Sequence, residues 1–152
     1  MTTAPANAAI RRAEPDDLDS LVTMHRAFGE ADQHPFCEKR VRAGFEPLLA
    51  DDRWGVVWMV DDPASYAVLT WGWSIEAGGA EAVLDEIYVS QRGAGTGSAL
   101  MEHLVNDAMA RGLARIFLET ERHNEPARRL YARLGFVEDD SIWMSLEFAD
   151  LS

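Results

Sequence analysis

The sequence holds a single cysteine, Cys37, among 152 residues, so an internal disulfide is impossible and a cysteine-based metal site is not expected. A lone thiol of this kind ordinarily packs as a small apolar side chain. Long apolar runs are missing too. None approaches the roughly 20 residues that a membrane span requires, and Met1 to Ala9 lacks the basic and apolar stretches of a secretory leader. The expectation is a cytoplasmic protein with no membrane partner. Basic residues are scarce: 14 Lys and Arg stand against 26 Asp and Glu, a formal net charge of −12, which disfavours nucleic acid as a partner. The same field draws in a cationic small molecule or a basic peptide, and serves solubility equally well. His25, His34, His103 and His123 lack metal-ligand spacing, so they read as surface or structural residues and no metal is expected. Repeats, low-complexity tracts and Pro/Gly/Ser-rich linkers are absent, which leaves one domain over residues 8–149 as the simplest organisation.

The apolar residues fall into short periodic segments. Ala9 to Ala13 reads as a short strand, and Glu14-Pro15-Asp16-Asp17 as a helix start with acids at the positive end of the dipole. Leu18, Leu21, Val22 and His25 continue at helical spacing. A second amphipathic segment, Cys37 to Ala50, carries Val41, Phe45, Leu48 and Leu49 on one stripe and is interrupted by Pro47. Trp54 to Val60, Tyr66 to Ile75 and Ala82 to Val89 are rich in aromatic and β-branched residues, which predicts three strands with a hairpin turn at Gly78-Gly79. Then come a helix from Gly97 to Arg111 stopped by Gly112, a strand over Arg115 to Glu119, and a helix over Glu125 to Leu134 stopped by Gly135. Phe136–Val137 and Ile142–Phe148 read as a closing pair of strands. The order is α/β (α+β): an antiparallel run, a βαβ unit, a helix and a final hairpin. Most of Trp54, Trp58, Trp71, Trp73 and Trp143 are expected in the core, with one or two available to hold an ammonium group against a ring face.

Arg92-Gly93-Ala94-Gly95-Thr96-Gly97, with Ser98 following, is the strongest local signal. It lies between an apolar strand and an amphipathic helix. Its three glycines let the backbone approach a ligand closely, and the N–H groups at the helix start suit the oxygens of a pyrophosphate. A purely structural turn is the plain alternative. A dinucleotide fingerprint fits poorly, because G-x-G-x-x-G would put its third glycine at Leu100 or at Ser98, and the upstream chain lacks alternating βα units.

Arg92-x-x-Gly95-x-Gly97, preceded by Leu84-Asp85-Glu86-Ile87-Tyr88-Val89, is followed by Asn124-Glu125-Pro126-Ala127, Leu130-Tyr131 and Leu134-Gly135-Phe136. In that order these motifs resemble the GCN5-related N-acetyltransferases, the GNAT family, over most of the chain. Two departures stand out: the link from Val89 to Arg92 is shorter than the family commonly shows, and Ala94 stands where a basic residue is frequent. The resemblance implies a GNAT-like acyl-CoA N-acyltransferase fold, a central mixed, mostly antiparallel sheet of about six to seven strands flanked by about four helices.

It also implies acetyl-CoA as cosubstrate and direct attack by a primary amine. Aminolysis of a thioester needs a neutral amine, a polarised carbonyl and a proton for the departing thiolate. By resemblance, backbone groups of Ile87, Tyr88 and Val89 receive the acetyl and pantetheine, with the Val89 N–H as the donor to the carbonyl. Arg92, Gly93, Ala94, Gly95, Thr96, Gly97 and Ser98 would hold the diphosphate, and Asn124, Ala127 and Arg128 would approach the cofactor arm. Asn124 also stands where a helix cap is expected. Tyr131, which by itself would read as core packing, takes the place of the general acid beside the cofactor. For the base there are two candidates, Asp85 and Glu86, which strand alternation sends to opposite faces unless a bulge intervenes. Glu86 reaches further, whereas the diamine acetyltransferases, which Asn124-Glu125-Pro126 also resembles, favour the Asp85 position. The implied acceptor is a cationic amine of a small molecule or peptide, in a pocket shaped by the first two helices and by Gly29 to Phe36, and the implied assembly is a homodimer. A non-catalytic acyl-CoA-binding or interaction module is the competing reading. Retention of both Glu86 and Tyr131 argues against it.

Overall fold

The computed structural model describes residues 9–31 and 35–148, and among them the periodic segments become five strands and four helices. Ala8, His34 and Ala149, and with them part of the Gly29 to Phe36 segment, lie outside the described residues. The chain divides into two compact units, residues 1–118 and 119–152.

In the first unit, β1 (Ile10–Arg12), β2 (Gly55–Val60), β3 (Ser65–Ser74) and β4 (Gly79–Val89) form an antiparallel run, and β5 (Ile116–Leu118) joins β4 in parallel. The sheet order is β1-β2-β3-β4-β5. Alternation along β2 and β3 gives each face its own layer. Val57, Met59, Tyr66 and Val68 meet α1 (Leu18–Ala31) and α2 (Glu38–Ala50) through Leu21, Met24, Phe45, Leu48 and Leu49. On the other side Trp58 packs edge-on against His103 of α3 (Thr96–Ala110), whose Leu100, Met101 and Leu104 are fully buried. Gly55 is required for contact rather than for its dihedral angles, because a Cβ there would run into the Leu69 carbonyl on the paired strand.

Local chemistry explains the element ends. A 3₁₀ turn at Pro15–Asp17 leads into α1, and its capping box is closed by Asp17, which also takes two hydrogen bonds from Arg11 at 2.8 Å each. Helix α2 runs through Pro47 to Ala50. Pro47 and Ala43 are both exposed, so water can serve the carbonyl that the missing N–H abandons. Gly112 and Gly135, with φ of 77° and 97°, follow α3 and α4 (Glu125–Arg133) as stops that only glycine adopts easily.

Two expectations fail. The sheet has five strands rather than six to seven, because residues 136–148 of the second unit carry no regular secondary structure. A period of two makes a strand only when a neighbouring edge pairs with it, and among the described residues none pairs there; Ile142, Met144, Leu146 and Phe148 are exposed. The tryptophans are also less buried than expected. Trp54, Trp73 and Trp143 are exposed and Trp58 and Trp71 half-buried, since the outer half of the β3–β4 hairpin, where Trp71 and Trp73 lie, runs beyond the packed core. Among the described residues no helix is long and apolar enough to cross a membrane.

Candidate functional site

A register change in the β3–β4 pair creates the local geometry. Val68 faces Glu86 but Leu69 faces Leu84, which leaves Asp85 as the extra residue of a β-bulge. The bulge resets the alternation, so that Glu86 and Tyr88 share a face with Val68 and Tyr66 beneath α1 and α2.

Glu86 is held by side chains from two other elements. The Tyr66 hydroxyl donates to its Oε2 at 2.7 Å, and His25 Nδ1 of α1 lies 3.0 Å from the same oxygen. An ionised carboxylate only accepts, so toward it the His25 nitrogen acts as an N–H donor. Glu86 remains partly open, with 19% of its side chain exposed. Tyr66 is fully buried; burial first, and then the Glu86 charge, push its hydroxyl far above the usual phenol range and keep it a donor. Asp85 opens to solvent, yet desolvation by the surrounding protein and the adjacent Glu86 charge raise its carboxyl, against an opposing pull from His25.

Neither His25 nor Tyr66 is suggested by any motif. For His25 the one available signal was its place in the stripe of Leu18, Leu21 and Val22, which turns it toward the sheet rather than toward solvent. Its ring lies 6.3 Å from Phe28, 6.5 Å from Phe36 and 6.2 Å, edge-on, from Phe45. The first two helices thus contribute directly to the surroundings of Glu86.

Downstream of Glu86 the features are main-chain ones. β5 pairs with β4 only as far as Leu118 opposite Leu84, so Asp85 to Val89 keep a strand neighbour on the β3 side alone among the described residues. The turn after Ser90 places Gly93 at φ 79° and Gly95 at φ 81°, and Gly95 is the N-cap of α3 without any side-chain cap. The Ala99 N–H bonds to the Gly95 carbonyl, whereas those of Thr96, Gly97 and Ser98 have no backbone acceptor among the described residues. With Arg92 exposed and Ala94 short, a phosphate-sized anion would find backbone donors and the positive end of a helix there.

The second unit holds the remaining candidates. The Asn124 side chain caps α4 by accepting from the Ala127 N–H at 3.4 Å. Arg128 donates to the Arg122 carbonyl at 3.1 Å and to Glu138 at 3.3 Å, which gives it a structural occupation. Tyr131 is buried, with its ring 5.9 Å from Phe136; burial raises its hydroxyl above the ordinary phenol value, and that hydroxyl has no hydrogen-bond partner among the described residues.

Known proteins give this arrangement a context. The sequence model of the acetyltransferase (GNAT) family matches residues 20–136. An integron cassette protein from the mobile metagenome of Cole Harbour Salt Marsh is 25% identical, with a TM-score of 0.81 over 93% of this chain and 91% of that one. A predicted acetyltransferase with acetyl-CoA from Clostridium acetobutylicum is 22% identical, with a TM-score of 0.74 over 91% of this chain and 94% of its own. A ribosomal-protein-alanine N-acetyltransferase from Brucella melitensis biovar Abortus 2308 is 23% identical, with a TM-score of 0.69 over 92% and 97%. No curated protein matches the chain.

Proposed function

The chain belongs to the acetyltransferase (GNAT) family, and from that premise we propose that it moves the acetyl group of acetyl-CoA onto a cationic primary amine of a small molecule or peptide. The observation that carries this reading is the juxtaposition along β4: a partly open carboxylate at Glu86, then an open backbone edge to Val89, then an uncapped helix start behind two left-handed glycines. The N–H groups of Thr96, Gly97 and Ser98 bind the diphosphate of the coenzyme, and the backbone of Ile87 to Val89 holds its pantetheine arm. Acetyl-CoA supplies a thioester, whose carbonyl carbon is the electrophile.

Glu86 first holds the incoming ammonium by charge and takes its proton, directly or through one water. The Val89 N–H donates to the carbonyl oxygen as the carbon–nitrogen bond forms. Tyr131, the acid that the family resemblance implies, gives its proton to the sulfur as the carbon–sulfur bond breaks; the second proton of the acylated nitrogen leaves through water and replaces it on Tyr131, while Glu86 releases the first to solvent. The products are the amide and coenzyme A. Asp85, raised in pKa and open to solvent, adds negative charge at the amine's entrance, and the diamine class is the acceptor group this pair of acids suits best. The exposed apolar side chains of Ile142, Met144, Leu146 and Phe148 favour a homodimer, and we place the enzyme in the cytoplasm as a single domain.

A thiol-release assay over spermidine, putrescine, phenethylamine, kanamycin and an alanine-initiated peptide tests this. Turnover of at least one amine that slows about 10²–10³-fold in Glu86→Gln is expected. Coenzyme A binding with turnover of none would make the protein a non-catalytic acyl-CoA-binding module.

A further inference from the structure

The geometry points to His25 as a positioning residue: together with Tyr66 it pins one oxygen of the Glu86 carboxylate and turns the other toward the acceptor amine. This rests on Glu86 as the base. Both recorded hydrogen bonds of the carboxylate converge on Oε2, at 3.0 Å from His25 and 2.7 Å from Tyr66, and Oε1 has no partner among the described residues. A glutamate carboxylate left to itself is nearly two-fold about its last torsion and offers either oxygen. Two donors fixed on different elements, α1 and β3, remove that freedom, occupy the lone pairs of Oε2 and leave Oε1 to accept the proton.

The donors are themselves held. Tyr66 is fully buried between the Phe45 ring, 5.8 Å away, and the Tyr88 ring, 6.0 Å away. His25 stands edge-on to Phe45 and beside Phe28 and Phe36, and the Phe36 ring in turn lies 4.3 Å from the Arg26 guanidinium. These rings fix the imidazole plane, so the N–H toward Glu86 is aimed before any substrate arrives.

The test has a spectroscopic arm and a kinetic arm. Long-range proton–nitrogen NMR in mildly alkaline buffer should find the His25 proton on Nδ1 in the wild-type protein and should find that preference lost in Glu86→Gln. A proton on Nε2, or one shared between both nitrogens in the wild type, would overturn the proposal. In the kinetic arm, with whichever amine of the panel above reacts fastest, His25→Phe keeps a ring but loses the donor, and should lower kcat about tenfold with the KM for acetyl-CoA unchanged. His25→Asn, whose amide nitrogen reaches the Nδ1 position, should recover most of the loss. In Glu86→Gln, adding His25→Phe should cost nothing further. Equal losses in His25→Phe and His25→Asn, or an additive double variant, reduce His25 to a packing residue. Wild-type speed in His25→Phe beside a slow Glu86→Gln removes the role of His25 alone, whereas full activity in Glu86→Gln removes the base reading and His25 with it.

Discussion

From Ile87 to Ser98 the groups free to meet a ligand belong chiefly to the main chain, with the exposed Arg92 guanidinium beside them, whereas around Glu86 they are side chains brought from α1, β3 and β4. The contrast matters because the two kinds of site respond differently to change. A backbone site is written in dihedral angles and tolerates almost any side chain that leaves those angles alone. A side-chain site needs named atoms from distant positions, here 61 and 20 residues away from Glu86. Damage to the first should appear in cofactor affinity, and damage to the second in the chemical step.

The largest effect should come from Glu86→Gln, which keeps shape but removes the basic oxygen: kcat should fall about 10²–10³-fold with coenzyme A affinity intact. Equal losses in kcat and in cofactor binding would erase the distinction. Gly95→Val comes next, because an L side chain at φ 81° is strained and the turn must shift; the KM for acetyl-CoA should rise about tenfold while kcat changes little. Arg92→Ala sharpens the same point from the other side. Its exposed guanidinium is screened by solvent, so the KM should rise only about two- to threefold, well below the glycine variant.

Much of the fold was readable because its punctuation is local. Gly112 and Gly135 stop helices by a conformation that few other residues adopt, and the run of aromatic and β-branched residues from Trp54 to Val89 needed only the Asp62-Pro63 and Gly78 turns to become a meander. Where burial or pairing decides, the sequence was mute. Ile142 to Phe148 alternates like a strand and remains without regular structure, and Trp73 is exposed despite its ring, because neither pattern names the neighbour that would cover it. The candidate site divides the same way. The glycine turn announces itself within six residues, but the bulge at Asp85 depends on how β3 meets β4, and the Glu86–His25–Tyr66 cluster on three elements packing together.

The smallest predicted effect concerns stability. Asp85 has a folded-state pKa above its unfolded value, so its contribution is fully favourable below the unfolded pKa and is lost as pH rises through the folded one. Asp85→Asn should therefore raise the Tm slightly at neutral pH, and the advantage should vanish in acid. A gain that grows on acidification would have the wrong sign. Asp17 runs the opposite way, because the hydrogen bonds from Arg11 lower its pKa; Asp17→Asn should cost about 1 kcal/mol at neutral pH and progressively less as pH falls through the folded pKa.

Calorimetric titration of the purified chain with coenzyme A and, separately, with pantetheine, which lacks every phosphate, is the most direct measurement. If main-chain donors at Thr96 to Ser98 hold the diphosphate, coenzyme A should bind at least about tenfold more tightly than pantetheine, and Gly95→Val should abolish most of that difference. Equal affinity for the two compounds, or no heat from coenzyme A at all, would contradict the account.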